Sequence, residues 1–365
     1  MKAERPTVAI TGADGFIGRN LSVRLGELGY PVVPITRAGG TDMIAGCDIV
    51  FHLAGINRSD DPADFLRGNR DYATAVAETV AAGGRRALVV VASSQKAVED
   101  TPYGGSKLAG EQVMLRLADA ATVSVWRLPN VFGKWARPNY NSAVATFCHN
   151  IARGLPIRID DPAAPIRLLH IDDLIDQWLA LFDTVPATGI TEPAKVHETT
   201  VGSMADMIGS FARRRVNGEV DAVGRGFERA LYATYISYLP EAAFSYPLAA
   251  HADPRGSFTE MVKTPASGQV SYFTAHPGVT RGGHYHHAKV EKFLVVHGAA
   301  RFRFRHILSG AEHEISTSAA APVIVETIPG WTHDVTNTGN DELVAIVWAN
   351  EVFDRDRPDT VAMPL

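Results

Sequence analysis

The sequence predicts an α/β domain of the Rossmann type, built on a parallel sheet, followed by an all-β barrel. Three observations carry this: an apolar strand that runs into a Gly-rich turn and a periodic helix at the start of the chain; a Tyr-x-x-x-Lys pair on a later helix behind an apolar strand; and, after Pro240, short alternating runs separated by turns and histidines. At 365 residues the chain exceeds one core of ~150 residues, and the motif positions divide it into two domains, 1–245 and 246–365.

Composition excludes several classes. Hydrophobic residues make up 46% and charged residues 21%, as in a globular protein rather than a disordered or fibrous one. A net charge of -5 leaves no basic footprint for nucleic acid. No apolar run reaches the roughly 18 residues of a membrane span. The first strand begins at Thr7, which leaves no room for a signal peptide, so a cytoplasmic protein without a membrane partner is expected. Cys47 and Cys148 lie far apart without CxxC spacing and read as two reduced thiols.

Thr7 to Ile10 is a short apolar strand, and Phe16 to Leu28 carries helical periodicity that stops at Gly29. Between them lies Thr11-Gly12-Ala13-Asp14-Gly15-Phe16-Ile17-Gly18. Glycines at 12, 15 and 18 let the backbone turn tightly and let a pyrophosphate approach the N–H groups at the helix start, around Phe16 and Ile17. A tight turn without a ligand is the competing reading. Pro31 to Ile35 is the second strand and runs into Arg37, where an acidic residue would hold the ribose of NAD. Arg37 suits a 2′-phosphate and so NADPH, unless it is a solvated loop arginine.

Ala87 to Ala92 is an apolar strand ending in Ser93-Ser94. Tyr103 and Lys107 are four apart in a helical segment, so both side chains fall on one face. An ammonium close to a phenol lowers its pKa and makes Tyr103 a proton donor near neutrality, while Ser94 can hydrogen-bond a reacting carbonyl. These residues, with HLAG at 52, RLPN at 127 and HIDD at 170, resemble the extended short-chain dehydrogenase/reductase family over roughly the first 240 residues. The resemblance implies dinucleotide contacts at Leu53 and Ala54 and, as in members acting on sugar nucleotides, a diphosphate contact at Asn130, with Arg167 one place off the usual spacing. The interval between Arg37 and His52 is short for that family, implying a missing helix or strand.

In the last quarter, strands at 269–273, 292–296, 300–305, 322–327 and 343–348 recur with turns between them, as in a small antiparallel barrel. Gly278-x5-His284-x-His286-x4-Glu291-x6-Gly298, with His333 in a later hairpin, has the spacing of a three-nitrogen, one-oxygen metal site. Zn²⁺, Fe²⁺, Mn²⁺ or Ni²⁺ would fit, and non-redox chemistry favours zinc. A barrel filled by satisfied core histidines is the alternative. The pattern is similar to the metal-binding cupins. Asp253-Pro254-Arg255-Gly256-Ser257-Phe258, followed by Thr280-Arg281-Gly282-Gly283-His284-Tyr285, resembles their deoxysugar 3,5-epimerase branch. That second resemblance implies substrate contacts at Asp253, Arg255 and Lys289 and would make His284 a base rather than a ligand. Lys289, Tyr285, Asp334 and unliganded histidines are the available acids and bases.

The union of the two halves resembles the CapF-type enzymes of capsular polysaccharide synthesis across the whole chain. That implies C3 epimerisation of a UDP-2-acetamido-2,6-dideoxy-4-ketohexose in the cupin, then NADPH-dependent reduction at C4, in a homodimer or higher homo-oligomer. A cupin that is only a structural, oligomerising module is the other reading.

Overall fold

The computed structural model describes residues 5–36, 39–216, 218–247, 251–253, 256–258, 262, 264, 268–351, 354 and 356–365. Arg37 and Arg255 lie outside the described residues, as does the side chain of Asp253. Two compact units are present: 1–132 with 166–198, and 133–165 with 199–365. This division differs from a single boundary near 245, because the helices Val201–Arg215 and Gly226–Ser237 group with the β-rich region.

The first unit is built on a six-stranded parallel sheet in the order Val32–Ile35, Val8–Thr11, Ile49–His52, Leu88–Ser94, Thr122–Leu128, Gly189–Thr191. The strands Val8–Thr11 and Ile49–His52 are buried throughout, as strands covered on both faces must be. Alternation along them sorts the core into two layers. Ala9 and Val50 pack with Val76, Val80 and Met114 of the helices Tyr72–Ala82 and Pro102–Leu115. Val8, Ile10 and Phe51 pack with Leu21, Leu25, Leu174 and Trp178 of the helices Phe16–Glu27 and Ile171–Asp183.

The short interval after Arg37 is explained here. Between Val32–Ile35 and Ile49–His52 the described chain forms only the 3₁₀ turn Thr41–Ile44, so Val32–Ile35 is the sheet edge and no further strand lies outside it. Chain order reverses at Val8–Thr11, which opens a crevice beyond the carboxyl ends of that strand and of Ile49–His52.

The β-rich part of the second unit holds two five-stranded antiparallel sheets, forming a cupin-like domain. One runs Ser245–Pro247, Val323–Glu326, Glu291–His297, Leu343–Ala349, Gln269–Ala275; the other runs Glu312–Ser318, Ala299–His306, Trp331–Asn337, Thr280–Tyr285, Val361–Ala362. Phe293 and Phe302, one from each sheet, meet with ring centroids 5.5 Å apart, so the two sheets enclose a common apolar core. A buried charge cluster lies on the other face of the first sheet, because Lys292 and Glu326 alternate with Phe293 and Val325. Glu326, fully buried, is ion-paired with Lys292 and accepts from Arg215 Nε at 2.6 Å, and Lys292 also meets the Tyr246 hydroxyl at 3.0 Å. The guanidinium of the helix Val201–Arg215 is thereby anchored to the β-strands.

Candidate functional site

Gly12 has φ +71°, and a Cβ there would lie 2.9 Å from both the Cα and the N of Ala54, so the turn is pressed against the end of the strand Ile49–His52. Gly18 faces the turn from the helix: its Cβ would fall 2.3 Å from the Gly12 carbonyl oxygen. Gly15 caps the helix Phe16–Glu27 in extended conformation without a side-chain bond, leaving the N–H groups of Phe16, Ile17 and Gly18 outside the helix's own ladder. Free backbone N–H groups at a helix start can hold an anion, and these lie in the crevice where the dinucleotide is expected.

Thr11 ties the two strand ends together. Its Oγ1 accepts from the N–H groups of Leu53 and Ala54, both at 3.2 Å, and so donates its own hydrogen to His52 Nδ1 at 3.0 Å. His52 is held neutral with its proton on Nε2. Burial, aided by the Lys107 charge, pushes its pKa down to about 3. Leu53 and Ala54 therefore shape the floor of the crevice with their backbone.

Ser94, Tyr103 and Lys107 come together at the carboxyl end of the strand Leu88–Ser94. Thr101 caps the helix Pro102–Leu115 by accepting from the N–H of Gly104 at 3.0 Å, and Pro102 opens its first turn. The phenol differs from the sequence expectation. Burial raises the Tyr103 pKa, with a Ser94 hydrogen bond opposing. The lysine runs inward, its ammonium 3.4 Å from the Ala92 carbonyl, and burial lowers its pKa to about 8 against the pull of Glu111.

Sequence reasoning missed the residues behind this pair. Glu111, buried one helical turn beyond Lys107, accepts from Ser93 at 2.5 Å and takes a bidentate contact from Arg127, the Nη2 bond being 2.7 Å. Its spacing from Tyr103 and Lys107 was the available signal, since i, i+4, i+8 share a face. Asn69, on the one-turn π-helical segment Leu66–Asp71, donates to Ser106 and to the Ile56 carbonyl, 2.9 Å each. Asn69, His52, Ser93, Lys107 and Glu111, together with the apolar Ala73, Val91 and Ala92, line a cavity of about 20 Å³. Asn130 and Arg167 lie on paired strands at the surface: Asn130 Nδ2 donates to the Arg167 carbonyl at 3.3 Å, and the Arg167 guanidinium meets Glu198 at 3.3 Å.

In the second unit, His284, His286, Glu291 and His333 converge, their ligand atoms all within 4.8 Å of one another. Gly282 and Gly283, both at positive φ, make the bulge that aims His284 inward; a Cβ at Gly282 would meet the His333 carbonyl at 3.0 Å. Glu291 opens the facing strand, and its Oε2 lies 3.1 Å from His286 Nε2 and 3.6 Å from His333 Nε2. These separations bracket the ~3.4 Å edge of a tetrahedron with ~2.1 Å metal–ligand bonds. Two further observations fit a cation. His286 Nδ1 faces the Asp359 carbonyl, which only accepts, so the lone pair of a neutral His286 Nε2 would face a carboxylate. His333 Nε2 is buried and makes no hydrogen bond. The donors are suited to ligation: burial and the neighbouring imidazoles push His284 down to about 4, and burial lowers His333. Burial alone would raise Glu291, but the bond to His286 and the nearby His333 imidazole and Lys289 ammonium hold its carboxyl well below the ordinary value.

The structure reduces the candidate acids and bases. Asp334 lies in a two-pronged contact with Arg303, 3.1 Å at Nε, and Tyr285 is buried against His287 at 5.5 Å; strand alternation turns both away from the His284 and His333 side. Lys289 is brought in, its ammonium 3.3 Å from Glu291 Oε1. Asn337 is structural, donating to the carbonyls of Ala275 and Asp341.

With this geometry in place, the likenesses to known proteins are specific. Residues 8–192 match the NAD dependent epimerase/dehydratase family, and residues 251–361 match the polysaccharide biosynthesis C-terminal domain. The chain is 50% identical to the UDP-2-acetamido-2,6-beta-L-arabino-hexul-4-ose reductase of Pseudomonas aeruginosa, over 97% of this chain and 98% of that protein. The crystal structure of the capsular polysaccharide assembling protein CapF from Staphylococcus aureus superposes with a TM-score of 0.67 at 37% identity, covering 98% of this chain and all of that one. The chain belongs to the CapF family. A CapF structure holding the inhibitor 3-isopropenyl-tropolone, at 34% identity and a TM-score of 0.62, likewise covers 98% of this chain and 100% of that one. Membership of the CapF and epimerase/dehydratase families makes the first unit an NAD(P)-binding oxidoreductase. Among the described residues, no helix is long and apolar enough to cross a membrane.

Proposed function

We propose that this protein is a bifunctional UDP-sugar enzyme of capsular or O-antigen polysaccharide synthesis. It inverts C3 of a UDP-2-acetamido-2,6-dideoxy-4-ketohexose at the cupin site and reduces the C4 ketone with NADPH in the N-terminal part, on the route to UDP-N-acetyl-L-fucosamine. The observation that carries the reading is the presence of two separate sites, Ser94/Tyr103/Lys107 and the His₃Glu cluster, on a chain half identical along its length to a hexul-4-ose reductase.

When bound, NADPH supplies a hydride to C4 and a divalent metal supplies Lewis acidity near a developing enolate. The chain's own groups do the rest. Tyr103 delivers a proton to the C4 oxygen, Ser94 fixes that oxygen, and Lys107 holds positive charge behind them. Asn130 and Arg167 are assigned to the diphosphate, and Asp253 and Arg255 to the sugar in the cupin. Lys289 is assigned to one of the two proton transfers at C3, and a second group or water on the opposite face of the sugar makes the other, which completes the inversion. His284, His286, Glu291 and His333 are assigned as metal ligands, with zinc the metal that suits non-redox work. Tropolones chelate divalent cations through adjacent oxygens, so inhibition of the CapF relative by one supports a metal-dependent step. Arg37 is the basis for NADPH over NADH.

Incubation with the UDP-4-ketosugar, NADPH and deuterated water, with product stereochemistry assigned by NMR, tests the scheme. Deuterium at C3 and an inverted, reduced product are expected. Reduction without C3 exchange would assign the cupin to metal-dependent assembly instead, which loss of oligomers on chelation would show directly.

A further inference from the structure

The segment Asp359 to Pro364 contacts each strand that carries a histidine of the cluster. Val361 and Ala362 pair antiparallel with Tyr285 and His284. Met363 donates its N–H to the Gly283 carbonyl at 2.8 Å and accepts from the Thr332 hydroxyl, next to His333. Arg305 donates to the Pro364 carbonyl at 2.8 Å, and Lys289 donates to the Thr360 hydroxyl at 3.2 Å. Asp359 makes the densest set of contacts. Its carboxylate accepts from three successive backbone N–H groups of the loop that joins the two ligand-bearing strands: His287 at 2.8 Å, Ala288 at 2.6 Å and Lys289 at 2.6 Å. Arg229, from the helix Gly226–Ser237, stands 3.6 Å behind it and also holds Glu351. The same residue's main-chain carbonyl receives His286 Nδ1.

From this we infer that Asp359 is a positioning residue for the cupin metal site. Its carboxylate fixes the loop between His286 and Glu291, and that fixed loop keeps the Asp359 carbonyl on His286 Nδ1, so that Nε2 is presented unprotonated toward Glu291. Three charge-assisted bonds into consecutive amides hold a turn more firmly than a neutral side chain would. A partner on the far nitrogen of a ligand histidine sets its tautomer and ring plane, and loss of such a partner typically weakens metal binding by about 10–100-fold. The inference rests on the metal-site assignment above and adds the group that prepares it. Nothing in the local sequence around Asp359 signals this role, because the carboxylate acts on residues some seventy positions earlier.

The test is a Co²⁺ titration of full-length, chelator-stripped wild type, Asp359→Asn and Asp359→Ala, read by visible absorption of the bound cobalt, with NADPH binding as the control for a folded chain. Asn keeps one acceptor oxygen and Ala keeps none. The expected result is a dissociation constant raised about 10-fold for Asp359→Asn and toward 100-fold for Asp359→Ala, with an altered cobalt spectrum in both. If Asp359→Ala does not fold, the Asn variant decides alone. Wild-type affinity and an unchanged spectrum in a folded Asp359→Asn protein would overturn the inference. Failure of the wild type itself to take up one equivalent of Co²⁺ or Zn²⁺ is a different result, and overturns the metal site.

Discussion

Replacing Gly18 by alanine adds one methyl group at the tightest point of the dinucleotide turn. Its Cβ would lie 2.3 Å from the Gly12 oxygen, 2.8 Å from the Ala13 Cα and 3.0 Å from the Ala13 carbonyl carbon. All three are backbone atoms, so no side chain can rotate away. The turn cannot retreat either, since Gly12 already sits at φ +71° with the Ala54 backbone behind it. Restoring ordinary contact requires the helix Phe16–Glu27 to move by about 1 Å, and overpacking of this kind costs about 1–3 kcal/mol. In a domain of this size that lowers the thermal midpoint by about 2–4 °C per kcal/mol. The displaced helix start also loses its aim at the pyrophosphate, and losing one hydrogen bond to a charged group, about 1.5–3 kcal/mol, weakens NADPH by about 10–150-fold. Gly26→Ala, in the same helix with nothing within 4 Å of its added methyl, is the control and should be neutral or stabilising by about 0.5–1 kcal/mol. Differential scanning fluorimetry and a fluorescence titration of NADPH read both variants. A Gly18→Ala protein with the wild-type midpoint and NADPH affinity would refute the argument that close backbone approach forms this site.

Three other outcomes are expected. Tyr103→Phe should cut NADPH oxidation by at least 100-fold while leaving deuterium uptake at C3 intact; retained oxidation would remove Tyr103 from the reduction. Arg37→Ala should weaken NADPH by about 1–3 kcal/mol and NADH far less, and an equal loss for both dinucleotides would end the 2′-phosphate assignment. His52 has a folded pKa of about 3 against 6.5 in the unfolded chain, so between these values the unfolded state binds the extra proton and stability falls as the medium is acidified. The loss approaches on the order of 4–5 kcal/mol at pH 3. His52→Asn, whose amide oxygen can still accept from Thr11, should flatten the acid limb of urea midpoints between pH 6.5 and 4, and an unchanged limb would show that His52 is not the group taking up that proton.

What the sequence by itself determined is local and periodic. A Gly-rich turn between a strand and a helix and a tyrosine and a lysine four apart are each set by the geometry of one element, and the structure forms both as read; of the two histidines only His284 lies on the strand Thr280–Tyr285, which ends before His286. Even the shortened interval after Arg37 was legible as a missing element, because chain length limits what can be built. Tertiary structure alone decided the contacts that join distant elements. Lys107 turned inward to the Ala92 carbonyl and burial raised the Tyr103 pKa, since helical spacing gives a shared face but neither the path of a long side chain nor the depth of its neighbour. Asp334 was drawn to Arg303 on a neighbouring strand, which depends on the register between them. Glu326 with Arg215 and Asp359 with the loop at 287–289 pair groups 111 and 70–72 residues apart. No periodicity records such pairings, because desolvation penalises a buried charge wherever it lies and only the folded chain determines which opposite group is near enough to offset it.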